Sequence, residues 1–139
     1  MNPILRNILA VVAGILIGGF VNGMIITYGA ALYPPPEGVN PNDLESIKAN
    51  LHLYSIAQLL VPFWAHGIGT FVGAFITALI AVSKRIGLAL LIGAVFLLGG
   101  ITMVVMVGGP VWFIILDLLV AYFPMAFIGG IAAIALKKS

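Results

Sequence analysis

The chain has no cysteine and very little charge. Without a thiol there is no disulfide, no thiolate metal site and no cysteine nucleophile. Lysine and arginine number 6, aspartate and glutamate 4, so charged residues are 7% of 139. A soluble domain carries about a quarter. That leaves too little polar surface to cover a water-soluble body, since 63% of the residues are hydrophobic and the mean hydropathy is +1.24. The net charge of +2, with no basic patch interleaved with aromatics, excludes a nucleic-acid surface. No nucleophile elbow, zinc-type His pair or phosphate loop occurs. His52 and His66 fall too far apart in depth to share a metal. No catalytic residue, metal site or cofactor is expected.

What is present is four long apolar segments, at about 8–32, 55–82, 86–107 and 112–136, each long enough to span a bilayer. The expected fold is all-α: one membrane domain over 1–139, an integral bundle of four transmembrane helices, with a short surface helix in the first outer loop at 33–54. The first segment follows Arg6, as in a signal peptide, but is longer than a signal's apolar region. It is expected to stay as a membrane helix.

Lipid cannot satisfy a hydroxyl, an amide or an imidazole, so polar positions in these segments must face protein or enclosed water. In the second segment Ser55, Gln58, Pro62, His66, Gly69, Gly73 and Thr77 fall on one helical stripe. Trp64, Phe71 and Phe75 fall opposite, the side expected to face lipid. Asn7, Gly14, Gly18, Asn22 and Gly29 share a stripe in the first segment, and Gly19 and Gly23 form a further small pair beside it. Ala89, Gly93 and Gly100 line the third. Small stripes let helix backbones approach, so Gly14, Gly18, Gly69, Gly73, Gly93 and Gly100 are the expected packing residues.

In the polar loop, Pro34-Pro35-Pro36 is stiff and extended. Asn40 is placed as the cap of a short helix, with Pro41 at its first position. Leu44, Ile47 and Leu51 give it one apolar face. Pro62 and Pro124 are read as kinks.

At a rise of about 1.5 Å per residue, His66, Asn22 and Tyr122 lie near the bilayer midplane, and Asp117 and Thr102 lie nearer the loop side. Asn22, Gln58, His66, Thr70, Thr102, Asp117 and Tyr122 are therefore the candidate polar cavity. Intramembrane ionisable groups are costly. Asp117 either binds something, pairs with His66 or is protonated, unless its helix starts later and leaves it at the interface. His66 is read either as interhelical glue or as a proton or substrate site.

Three stretches carry a resemblance: Pro34-Pro35-Pro36-Glu37-Gly38; Ala65-His66-Gly67 with Gly69-Thr70 and Gly73-Ala74; and Trp112-Phe113 with Asp117, Ala121-Tyr122 and Pro124-Met125. Together they resemble a group of small four-helix proteins of the bacterial inner membrane. The resemblance implies that location and this topology, and no activity. Two functions remain open: a small transporter or permeation protein acting as a homo-oligomer, or a structural or accessory subunit that docks partner membrane helices.

Arg6, Lys84, Arg85, Lys137 and Lys138 fall on one side of the four-span topology, and Glu37, Asp43, Glu45 and Lys48 on the other. The positive-inside bias places both termini in the cytoplasm. Single cysteines at Ser46→Cys and Ser139→Cys are expected to react with an impermeant maleimide from opposite sides. Reaction of both from one side would remove the four-span topology.

Overall fold

The computed structural model describes residues 2–137; Met1, Lys138 and Ser139 lie outside them. The described residues contain helices and no strand: α1 (Pro3–Leu32), α2 (Leu44–Ala49), α3 (Ile56–Ile80), α4 (Arg85–Met106), α5 (Val111–Val120) and α6 (Phe123–Leu136), with a 3₁₀ turn at Leu51–Leu53. Four spans are long and apolar enough to cross a membrane: α1, α3, α4, and α5 with α6 taken together.

Local chemistry sets the helix ends. Asn2 accepts from the Ile4 N–H at 2.8 Å, and Pro3 opens α1, so this helix starts five residues before the expected Ile8. Ser55 and Gln58 form a capping box at the start of α3. Helix α2 starts later than expected. Asp43 is its cap and accepts from Glu45 N–H at 3.1 Å. Asn40 instead holds a turn, its side chain accepting from Asn42 N–H at 3.0 Å. An Asx turn competes with helix here, so Pro41 lies outside α2.

The helix α3 is the centre of the bundle. It touches α1, α4, α5 and α6, and Leu59, Ala65, Gly67, Gly69, Thr70, Gly73, Ala74, Thr77 and Ala78 are buried along it. The expectation that Phe71 and Phe75 face lipid is not met. Both are half-buried, because α6 lies on that side: a Cβ on Gly129 would sit 2.5 Å from the Phe71 carbonyl oxygen and 3.2 Å from the Phe75 nitrogen. Only Trp64 of the three is exposed, at 56%.

One end of the bundle is tied by side chains. Asn7 donates to Ser83 Oγ at 2.9 Å and accepts from Val82 N–H at 3.1 Å. Arg6 Nε donates to the Ile80 carbonyl and Arg85 Nε to the Ala81 carbonyl, both at 3.0 Å. Cations thus complete the negative, C-terminal end of α3. The turn passes through Lys84 in the left-handed region at φ 48. The opposite end carries 33–55 and the turn Gly108–Gly109.

The seam between α1 and α3 is made of glycine. A Cβ on Gly18 would lie 2.6 Å from the Gly69 carbonyl oxygen, and one on Gly73 would lie 2.7 Å from that of Gly14 and 3.4 Å from the Gly18 Cα. Thr77 adds a buried hydrogen bond to the Ala10 carbonyl at 3.2 Å. Gly73→Leu is expected to lower stability in detergent by at least about 2 kcal/mol, since the added atoms meet backbone that has no rotamer to change. Gly19→Leu, with nothing within 4 Å of its Cβ, is the matched control. Equal unfolding midpoints for the two variants would contradict the seam.

Candidate functional site

The break in the fourth span builds the site. A proline in a continuous helix removes one backbone hydrogen bond and clashes with the carbonyl four residues earlier. For Pro124 that carbonyl belongs to Val120, where α5 ends. Tyr122 then takes φ −112 and ψ −82, outside the helix, and α6 starts with Pro124 in its first turn. Five residues along an unbroken helix, Tyr122 would point about 140° away from Asp117. The break turns the two together.

Three side chains meet there. His66 Nδ1 lies 2.8 Å from Asp117 Oδ1. The Tyr122 hydroxyl donates to Asp117 Oδ2 at 3.0 Å and lies 2.9 Å from His66 Nδ1. The tyrosine and histidine rings stack with centroids 5.7 Å apart. Asp117 is 2% exposed and the His66 side chain 20%. The carboxylate is therefore nearly hidden, and the imidazole is the more exposed member of the pair. Nδ1 is used inside the cluster, while Nε2 makes no hydrogen bond to the described residues. With an ionised Asp117 the simplest proton placement puts a hydrogen on Nδ1, donated to Oδ1. Nε2 is then an acceptor toward the cavity when the ring is neutral and a donor when it is protonated.

A cavity of about 440 Å³ lies at the loop end. Asn22, Gln58, His66 and Asp117 contribute its polar lining. Its walls are apolar: Ile26 and Val61 from α1 and α3, Met103 and Val104 from α4, and Phe113 from α5. The polar loop closes over it through Pro35, Pro41, Leu44, Ile47, Leu51 and Tyr54. The expected surface helix α2 is thus a cover, its Leu44 and Ile47 turned to the cavity. Gln58 anchors the cover by donating to the Pro34 carbonyl. Burial pushes the Tyr54 phenol above its ordinary pKa, so the cover presents a neutral hydroxyl. Pro62 does not end α3. It removes the hydrogen bond to the Gln58 carbonyl in the stretch that lines the cavity.

Of the seven candidate cavity residues, Asn22, Gln58, His66 and Asp117 line it, and Tyr122 stands behind them against Asp117. Thr102 does not belong. It is exposed and its hydroxyl donates to the Leu98 carbonyl of its own helix at 2.8 Å. Local back-bonding satisfies a helical threonine wherever it points. Thr70 is fully buried, and its Oγ1, like Asn22 Oδ1, has no hydrogen-bond partner among the described residues. Both belong to the stripes that carry the site, Thr70 one turn beyond His66.

The glycines of α4 serve the cluster. A Cβ on Gly100 would collide with the Tyr122 hydroxyl, and one on Gly93 would lie 2.9 Å from the Ala126 Cβ and 3.3 Å from the Tyr122 carbonyl oxygen. Gly129 and Gly130 were not among the expected packing residues, yet they seat α6 against α3 and Ala89. The adjacent pair in an apolar run was the available signal. Among the described residues no three His, Asp or Glu side chains come together. His66 and Asp117 supply two such groups, already bonded to each other.

Tyr122→Phe is expected to cost about 1–3 kcal/mol, the penalty for withdrawing a donor from a buried charged group. In a double-mutant cycle with Asp117→Asn the two effects should be strongly non-additive, because both act on one network. Additive unfolding energies would show that the tyrosine hydroxyl does not support the carboxylate. No family model, no curated protein and no solved structure matches the chain, so the role of the site is read from its own geometry.

Proposed function

We propose that this is a small bacterial inner-membrane carrier with both termini in the cytoplasm. It binds a mostly apolar molecule bearing one acidic or hydrogen-bonding group and couples that binding to a proton on His66. The observation that carries the reading is the His66–Asp117–Tyr122 cluster, whose His66 and Asp117 line a cavity of about 440 Å³ with mostly apolar walls, His66 being the more exposed of the two. Ligand pockets of this size are mostly apolar with a few placed polar groups. Histidine is the side chain whose charge changes nearest neutral pH. Protonation makes His66 a cationic donor to an anionic head, and loss of the proton removes that attraction. Asp117 holds the ring and balances its charge. Asn22, whose Oδ1 has no partner among the described residues, offers a further acceptor.

The distribution of charge supports the orientation. Arg6, Lys84, Arg85 and Lys137 gather at the end opposite the cavity, while Glu37, Asp43 and Glu45 lie at the loop end. The cavity lies at the loop end beneath its cover, and the glycine seam of α1 and α3 closes the bundle beyond it. A second reading, the accessory subunit, has one observation in its favour. Gly19 and Gly23 make no contact that a Cβ would disturb, so this small-residue face of α1 is free for a partner helix. The same face would serve a homo-oligomer.

The test is a proteoliposome flux assay with aromatic and short-chain carboxylates, run with and without an imposed proton gradient. Wild-type protein should transport a member of this panel faster with the gradient. His66→Leu should still unfold cooperatively but lose the flux by at least about tenfold, the worth of one charge-assisted hydrogen bond. A folded His66→Leu protein that transports like wild type would end the carrier reading and favour the accessory subunit.

A further inference from the structure

The end of the bundle remote from the cavity gathers cations without an acidic side chain to meet them. Arg6 at the start of α1 and Arg85 at the start of α4 bond adjacent carbonyls, those of Ile80 and Ala81, so their guanidinium groups converge at the end of α3. In each, only Nε is used in these bonds. The third cation is Lys137, just beyond α6. It is exposed, and because Gly130 of α6 packs on Ala89 and Ile86 of α4 it lies at the same end of the bundle as Arg85. Elsewhere the acids are committed. Asp117 pairs with His66, and Glu37, Asp43 and Glu45 belong to the loop end. The carbonyls at the end of α3 offset part of the cationic charge, and the patch as a whole stays positive, which favours an anion from outside.

A second feature lies beside them. A shallow apolar groove of about 410 Å³ runs between α4 and α6, lined by Ile86, Phe127, Ile131, Ile134 and Ala135. Ile86 follows Arg85 directly, and Ala135 precedes Lys137 by two residues. The groove therefore starts at the cationic cluster and runs along the membrane-spanning part of the bundle. Phe127 and Ile131 on its wall are among the exposed large apolar side chains.

We infer that this end of the bundle holds one anionic phospholipid, its phosphate among Arg6, Arg85 and Lys137 and an acyl chain in the groove between α4 and α6. The charge selects the headgroup, since a zwitterionic lipid brings its own cation. The groove's position selects a lipid over free phosphate. Basic pockets at helix ends on the positively charged side of a membrane suit such headgroups. Arg6 and Arg85 also hold the end of α3, so lipid bound there would tighten the union of α1, α3, α4 and α6. The inference needs the four spans to lie in a membrane but is independent of the cavity and of any transport.

The test is thermal unfolding of the purified full chain in a neutral detergent. Phosphatidylglycerol, phosphatidylcholine of matched chains and inorganic phosphate are added separately. Native mass spectrometry counts bound lipid in parallel. Phosphatidylglycerol should raise the melting temperature by at least about 4 °C more than phosphatidylcholine, with one lipid retained per chain. Inorganic phosphate should do little. Lys137→Gln should remove most of the difference between the two lipids. Ile134→Trp, which fills the groove, should weaken retention of both, so the inference stays testable should either variant fold poorly. Equal shifts from the two lipids, an equal shift from inorganic phosphate, or a preference unchanged in both variants would overturn it.

Discussion

A carboxylate is buried in a bundle that has almost no other charge, and the local structure is arranged around that fact. Asp117 is 2% exposed. An ion removed from water costs several kcal/mol unless its lone pairs are met. Both of its oxygens are met, Oδ1 by His66 and Oδ2 by Tyr122. Neither partner arrives without help. His66 comes from the central helix. Tyr122 is turned inward only because Pro124 interrupts the fourth span, and its hydroxyl fits only because Gly100 has no side chain. A proline, a glycine and a break in hydrogen bonding thus serve one ion.

The glycine seam is the complementary constraint. Where Gly14 and Gly18 meet Gly69 and Gly73, backbone touches backbone and no space remains. Toward the loop end, Asn22, Ile26 and Ala30 on α1 and Val61, Pro62 and His66 on α3 stand around open volume instead. The same two helices thus form a tight contact over one half and a cavity wall over the other. Side-chain size along a single stripe sets the change. Between apolar helices, small residues let the two backbones come into direct contact.

Much of this was legible in the sequence, because lipid punishes a misplaced polar group so severely. The four spans, the stripes holding Asn22, His66 and Gly73, and the pairing of His66 with Asp117 as one of three options follow from period and polarity. Thr102 was misplaced because a hydroxyl, unlike an imidazole, can be satisfied by its own helix. The cap at Asp43 was missed because Asn40 is also a capping residue and its turn is decided by tertiary context. The break at Tyr122 was missed for a different reason. Proline acts on the carbonyl four residues upstream, so the break falls where the sequence still looks helical. That α6 covers Phe71 and Phe75 is a fact of three-dimensional packing that no single helix's period contains.

The two ends of the bundle are held by different physics, which bears on where it can move. The basic end is joined by directed bonds from Arg6, Asn7 and Arg85 to backbone and side chain across α1, α3 and α4. Opening it would break four directed contacts at once, two of them from charged arginines. At the loop end the cover rests on the Gln58 bond to Pro34, on the near-buried Val39 and on apolar contact such as Leu51 against Gly108. Segments held by few bonds and little buried surface open at the lowest free energy. Gly108 and Gly109, at φ 86 and 155, form a turn that other residues rarely adopt. The cover at 33–54 is therefore the part of the cavity wall held by the fewest bonds, while the seam and the His66–Asp117–Tyr122 cluster belong to the tightly packed helices.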